Sequence, residues 1–254
     1  MKIAVITGAS SGMGREFARQ LDADERFDEI WVVARRLDRL EALREELRAP
    51  VRPLALDLTR TEDLERLKAL FEAEKPTVSV LVNAAGFGLF RPFTGLDLER
   101  QLAMIDLNEK ALVSVTYHAL PFMTAGSRIY NMGSLSAFQP VPYINVYGAS
   151  KAFVLSFSRA LNVELVSRGI RVMAVCPFWV KTEFFDHAVS DDTVTYYSRY
   201  YEAPDVVRRA LRDMKRGRDV SICGAAARLQ VLGVKLLPHR FVMRTWCRQQ
   251  KKPF

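Results

Sequence analysis

The chain has 254 residues, of which 49% are hydrophobic and 26% charged, and its formal net charge is +8. That length suits a single α/β domain over residues 1–254 and is enough to enclose a real core. No apolar run reaches the roughly 20 residues that a membrane-spanning helix needs. The apolar run after Met1 and Lys2 is too short for the core of a signal peptide, so a cytoplasmic protein is expected.

The first strand-like run, 3–6, leads into the string TGASSGMG, after which 14–22 has helical periodicity. Gly8, Gly12 and Gly14 let the backbone turn tightly between strand and helix and approach a pyrophosphate. The phosphate then faces the amides and positive dipole end of the helix. The second strand, 30–34, ends in VVARR and precedes a helix over 37–48. An acidic residue commonly stands here to accept from a ribose 2′-hydroxyl, whereas this chain has Ala34 followed by Arg35 and Arg36. A guanidinium grips a 2′-phosphate, so NADP(H) is the expected cofactor. Arg35 carries that assignment, Ser11 adds a hydroxyl, and Arg36 reads as a surface residue opening the next helix.

The third strand, 52–56, closes on Asp57, whose carboxylate suits an adenine amino group, with a helix cap as the alternative. A helix over 62–74 and a strand over 78–83 lead to NAAG. The small residues Ala84, Ala85 and Gly86 let the chain pass beside a cofactor ribose, with Asn83 tying the turn. One long amphipathic helix is predicted over 97–124, then a strand over 128–131. Tyr147 and Lys151, four residues apart, share one face of a helix predicted over 147–168. A phenol alone has a pKa of about 10. A fixed ammonium favours the phenolate and draws that value down, which makes the pair a proton donor and acceptor for a carbonyl/alcohol couple. A strand over 170–176, a helix over 204–214 and a short run at 219–222 complete the pattern. Continuous apolar strands alternating with helices give an α/β fold: a Rossmann-type doubly wound parallel sheet of about seven strands, with helices on both faces.

Residues 204–254 hold 13 Lys/Arg against 3 Asp/Glu, so the basic excess lies in the C-terminal fifth. After Gly224 comes an apolar helix, a break at Pro238 and a basic amphipathic helix. Val242, Trp246 and the arginines between them suit three roles: peripheral contact with a membrane surface, a cap on a neighbouring subunit, or closure of a substrate pocket. No nucleic-acid partner is expected. Cys176, Cys223 and Cys247 lack metal-ligand spacing and read as buried reduced thiols, and His118, His187 and His239 are scattered, so no metal site is expected.

In order, TGASSGMG, Asp57, NAAG, Asn108 in MIDLNEKA, Ser134 in YNMGSLS, and YGASK resemble the short-chain dehydrogenase/reductase family over about residues 2–182. The resemblance implies an NADP(H)-dependent oxidoreductase that moves hydride between a nicotinamide and a carbonyl or secondary alcohol. It implies a catalytic set of Asn108, Ser134, Tyr147 and Lys151. Ser134 would hold the substrate oxygen, Tyr147 would exchange its proton, Lys151 would lower the tyrosine pKa and hold the nicotinamide ribose, and Asn108 would position a relaying water. Ser136 is taken as structural.

Cofactor contacts carried over are Gly8, Ser10, Ser11, Gly12, Met13 and Gly14 in the first turn. Asp57 and Leu58, then Asn83 to Gly86, follow from the next strands. Pro177, Val180 and Thr182, with Tyr147 and Lys151 themselves, complete the set. Two departures are Phe178 in place of a glycine and Ala84 in place of a second asparagine. Segment 183–203 takes the position of a substrate lid and holds Phe184, Phe185, Tyr196, Tyr197, Tyr200 and Tyr201. With Phe87, Phe178 and Tyr143, and with Val141, Pro142 and Asn145 opposite, these rings suit an apolar small-molecule substrate: a steroid, a fatty or aromatic ketone, or a 3-oxoacyl compound. A homodimer or homotetramer through 97–124 and 147–168 is implied. The rival reading is a non-catalytic dinucleotide-binding regulator, which has no use for an intact proton donor.

Overall fold

The computed structural model describes residues 1–188, 193–195 and 200–254. The chain runs β1 (Lys2–Thr7), α1 (Gly12–Asp24), β2 (Glu29–Ala34), α2 (Leu37–Glu41), β3 (Val51–Ala55), α3 (Thr61–Glu74) and β4 (Thr77–Asn83). There follow α4 (Leu98–Ile105), α5 (Ala111–Ala119), β5 (Arg128–Met132), α6 (Asn145–Glu164), β6 (Arg171–Val175) and β7 (Trp179–Lys181). The rest is α7 (Phe184–Ala188), β8 (Tyr200–Glu202), α8 (Ala203–Lys215), β9 (Val220–Ser221), α9 (Ala225–Leu236) and α10 (His239–Gln249).

Seven strands form one parallel sheet in the order β3-β2-β1-β4-β5-β6-β9. The order reverses between β1 and β4, the place where an open α/β sheet leaves a crevice beyond its strand ends. Alternating side chains feed two cores. Ala4, Ile6, Ile30 and Val32 pack toward Phe17 and Leu21 of α1 and Val207 and Leu211 of α8. Ile3, Val5, Trp31 and Val33 pack toward Leu67 and Phe71 of α3 and Val115 of α5. The edge is fixed by Asp213 of α8, a buried carboxylate that accepts from Ser221 Oγ in β9 at 2.9 Å and from Arg209 Nε at 2.8 Å.

Three elements differ from expectation. The helix predicted over 97–124 is interrupted by a π-turn, Asp106–Lys110, and ends in a 3₁₀ turn. The helix over 37–48 contracts to α2 and a 3₁₀ turn, Ala42–Glu45. Strands β7 and β8 form a separate two-stranded parallel sheet, too short for a period-2 pattern to register. Among the described residues, no helix is long and apolar enough to cross a membrane. None of the three cysteines is in a disulfide; Cys176 and Cys247 are buried, while Cys223 is only half-buried.

Candidate active site

The crevice at the sheet reversal opens into a cavity of about 800 Å³. Its floor is the turn after β1. Gly8 and Gly12 have φ of 68° and 51°, a region that disfavours a side chain. A Cβ on Gly8 would lie 2.6 Å from Ala85 N, and one on Gly14 would lie 2.3 Å from Gly8 O. The glycines therefore let two turns touch and leave the first amides of α1 facing the cavity. Thr7, not singled out in the sequence, locks this contact: its Oγ1 accepts from Ala84 N and Ala85 N, both at 3.1 Å.

Ser10, Ser11, Gly12, Met13 and Gly14 line the cavity, as do Arg35, Asp57 and Leu58. Ala84, Ala85 and Gly86 line it too, and so do Pro177, Val180 and Thr182. Asn83 departs from its assignment. It is buried beneath the turn, donating to Thr116 Oγ1 and Asn131 Oδ1, both at 2.9 Å, and is not among the cavity-lining residues. Its register on β4 turns it into the core between β5 and α5.

Arg36 also departs from expectation. It is no plain surface residue, since its Nη2 donates to Ser10 Oγ and Ser11 Oγ, both at 3.1 Å. Its Nη1 donates to Glu183 Oε2 at 3.0 Å, and Arg39 Nη1 donates to Glu183 Oε1 at 2.8 Å. These two guanidinium groups hold the Glu183 carboxyl below the usual carboxylate range. Arg35 lines the same cavity but is exposed. The cradle fits a dinucleotide: a glycine turn at a helix N-terminus, with a guanidinium and two hydroxyls where a 2′-phosphate would sit. Asp57 Oδ1 accepts from Thr59 N at 3.0 Å and Thr59 Oγ1 at 2.7 Å, so it closes a turn while lining the cavity.

Ser134, Tyr147 and Lys151 share the other half of the cavity. Ser134 caps a 3₁₀ turn, Leu135–Phe138, its Oγ accepting from Ser136 N at 3.2 Å. Lys151 Nζ donates to Met132 O at 2.9 Å and lies 5.7 Å from the Tyr147 ring centroid. Asn108 sits in the π-turn behind this group. Its Oδ1 accepts from Phe87 N, and its Nδ2 donates to Phe87 O and to Ser150 Oγ, all at 3.0 Å. A Cβ on Gly86 would come within 2.7 Å of Asn108 Oδ1 and 3.4 Å of Lys151 Nζ, so the missing side chain keeps these groups close.

The electrostatics reverse one expectation. Burial pushes the Tyr147 phenol up to about 12, against a hydrogen bond with Ser134 that acts downward. Burial also draws the Lys151 ammonium down to about 8, opposed by Cys176 and Glu109. Desolvation of the phenolate outweighs the hydrogen bond from Ser134, so the phenol moves opposite to the direction expected from its spacing to Lys151. Tyr147 is therefore a protonated donor near neutrality. Glu109, a half-buried neighbour of Asn108, was not foreseen as a partner of Lys151; burial raises its own carboxyl.

The substrate side is aromatic. Phe87, Phe178, Phe184 and Phe185 line it, joined by Trp179, which the sequence left unassigned, and by Trp246, for which closure of a substrate pocket was one of three expected roles. Phe90 anchors this wall, meeting Tyr147, Trp179 and Phe184 edge-on at 5.8–6.1 Å between centroids. Tyr143 departs from its assignment. It has a φ of 69° and its hydroxyl donates to Pro253 O at 2.9 Å, toward the C-terminal residues and away from the cavity lining. Val141 lines the cavity, whereas Pro142 and Asn145 do not. Tyr196 and Tyr197 of the expected lid lie outside the described residues.

A family model described as short chain dehydrogenase matches residues 2–193. The chain is 39% identical over 199 residues to a sulfoacetaldehyde reductase of Chromohalobacter salexigens, covering 73% of this chain and 78% of that protein. It is similar to the solved structure of a short-chain dehydrogenase from Sphingobium yanoikuyae in complex with NADPH, at 32% identity, a TM-score of 0.79 and 96% coverage of both chains. It is also similar to a bulky-bulky ketone specific alcohol dehydrogenase from Comamonas testosteroni, at 27% identity and a TM-score of 0.74, covering 96% of this chain and 94% of that one.

Proposed function

Because the chain belongs to the short-chain dehydrogenase family, and is an oxidoreductase on that ground, we propose that it is an NADP(H)-dependent enzyme that interconverts a ketone or aldehyde and its alcohol. The observation that carries this reading is the joining of Ser134, Tyr147 and Lys151 to the glycine cradle in one cavity. Bound there, a reduced nicotinamide supplies the hydride. Ser134 holds the carbonyl oxygen and stabilises the charge that develops on it. Tyr147, kept protonated by burial, donates its proton to that oxygen. Lys151 faces the phenol as it loses its proton, and Asn108 fixes the backbone at Phe87 beside both.

Preference for the phosphorylated cofactor rests on Arg36 with Ser10 and Ser11. The ion pair from Arg36 to Glu183 involves side chains 42% and 36% exposed, so it is worth only about 0–1 kcal/mol. A contact of that size leaves Arg36 available to a 2′-phosphate. The aromatic wall supports an apolar ketone. The 39% identity to a sulfoacetaldehyde reductase favours a second reading, a small anionic aldehyde.

NADPH oxidation across aryl ketones, fatty ketones, steroids and sulfoacetaldehyde, with NADH in parallel, tests this proposal. Turnover with NADPH is expected, with a loss of about 10²–10⁴-fold in Tyr147→Phe and unchanged NADPH binding. Tight NADPH binding without turnover on any carbonyl would leave a dinucleotide-binding regulator as the reading.

A further inference from the structure

The family match ends at residue 193, yet the cavity is closed by residues far beyond it. Helix α10 and the residues that follow it are tied to two segments distant in the chain. Trp246 Nε1 donates to Pro142 O at 3.0 Å, in the loop that leads to Tyr147, and Tyr143 Oη of the same loop donates to Pro253 O at 2.9 Å. Gln250, itself buried, accepts from Thr195 N at 2.9 Å. These bonds hold one face of α10 at a fixed distance from the catalytic tyrosine.

The residue on that face is Trp246. It lines the cavity and packs with the cluster that contains Tyr147, Val141, Ile144 and Phe184. Its indole is a large, rigid surface whose only polar atom is satisfied by Pro142, so what it offers a substrate is apolar area and a steric limit. A hydrophobic pocket discriminates mainly by volume, and each methylene that does not fit changes the rate by about 10–200-fold.

We propose that Trp246 is a specificity-determining residue, the far wall that limits the size of the second substituent on the carbonyl carbon. This inference rests on the oxidoreductase reading for its kinetic form only; as a binding limit it stands alone. Helix α10 is thus part of the substrate site, and the pocket-closing role among the three open to Trp246 is the one the geometry favours.

The test compares acetophenone and benzophenone, one with a methyl and one with a second phenyl group, in the full-length protein and in Trp246→Ala. The ratio of kcat/KM for benzophenone over acetophenone is expected to rise about tenfold or more, with NADPH affinity within twofold of the parent. Trp246→Phe, which keeps a ring but removes the N–H to Pro142, is expected to give a smaller rise in the same direction. It also serves where the alanine variant does not fold. A ratio unchanged within twofold in both, even if both rates fall together, overturns the proposal and makes Trp246 a mere fastener of the 141–144 loop.

The same two ketones titrated calorimetrically without cofactor separate the two readings. If the parent reduces neither ketone but the binding ratio still shifts in Trp246→Ala, the apolar-ketone reading fails and the size limit stands. If the binding ratio is flat, the size limit fails whatever the turnover.

Discussion

Tyr147 and Lys151 titrate away from their ordinary values in opposite directions, and the consequence is a pH profile with a definite sign. Lys151 is drawn down to about 8, so its charge is present below that pH and lost above it. Tyr147, at about 12, keeps its proton throughout the working range. The kcat/KM for carbonyl reduction is therefore expected to be flat up to about pH 7 and to fall through a single ionisation near 8. Lys151→Arg, which keeps its charge to much higher pH, is expected to remove that limb. A rate that instead rises from pH 7 to 9 would show that phenolate formation, not loss of the ammonium, governs the reaction. The spacing of Tyr147 and Lys151 made the pair legible in the sequence. The direction of the tyrosine shift was not, because it depends on how completely Phe90, Phe184 and their neighbours exclude water.

At the scale of elements, the proposed preference for NADPH rests on the turn after β1 and the end of β2. Arg36, at the N-terminus of α2, donates to Ser10 and Ser11, whereas Arg35 lines the cavity and is exposed. Arg36→Ala is expected to raise the Kd for NADPH by about tenfold or more, in line with the loss of a charge-assisted contact worth roughly 1.5–3 kcal/mol. NADH affinity is expected to change less than threefold. An equal loss for both cofactors, measured by fluorescence titration, would mean that Arg36 only supports the turn. The π-turn at Asp106–Lys110 is a second element-level decision. Its extra residue sets Asn108 facing Phe87 and Ser150, a displacement that no regular 3.6-residue pattern encodes.

For the whole molecule, the α5 and α6 side carries apolar groups that a lone chain leaves in water. Tyr117 is 73% exposed, Val163 72% and Val166 67%, and Phe153 stacks on Phe157 with ring planes 6° apart. Large apolar groups left exposed along these helices suit an interaction surface. We infer a homo-oligomer through this face, in keeping with the family resemblance. Sedimentation at micromolar concentration is expected to give a dimer or tetramer, and Tyr117→Glu with Phe153→Glu a species of half the mass or less. A monomer in the parent protein would remove the inference and leave the patch unexplained.

What the sequence by itself determined is the set of properties carried by local chemistry. Strand and helix alternation fixes the sheet, glycine spacing fixes the cradle, and the offset of four residues fixes the tyrosine–lysine pair. Each follows from backbone sterics or helical geometry within a few residues, so one dimension is enough to read it. What only the tertiary structure decided involves partners far apart along the chain: Thr7 with Ala84 and Ala85, Arg36 with Glu183, Trp246 with Pro142. Burial belongs to the same class. Asn83 and Tyr143 face away from the cavity, and Trp246 faces into it, because packing between distant elements, not local propensity, sets which side of a segment meets the site.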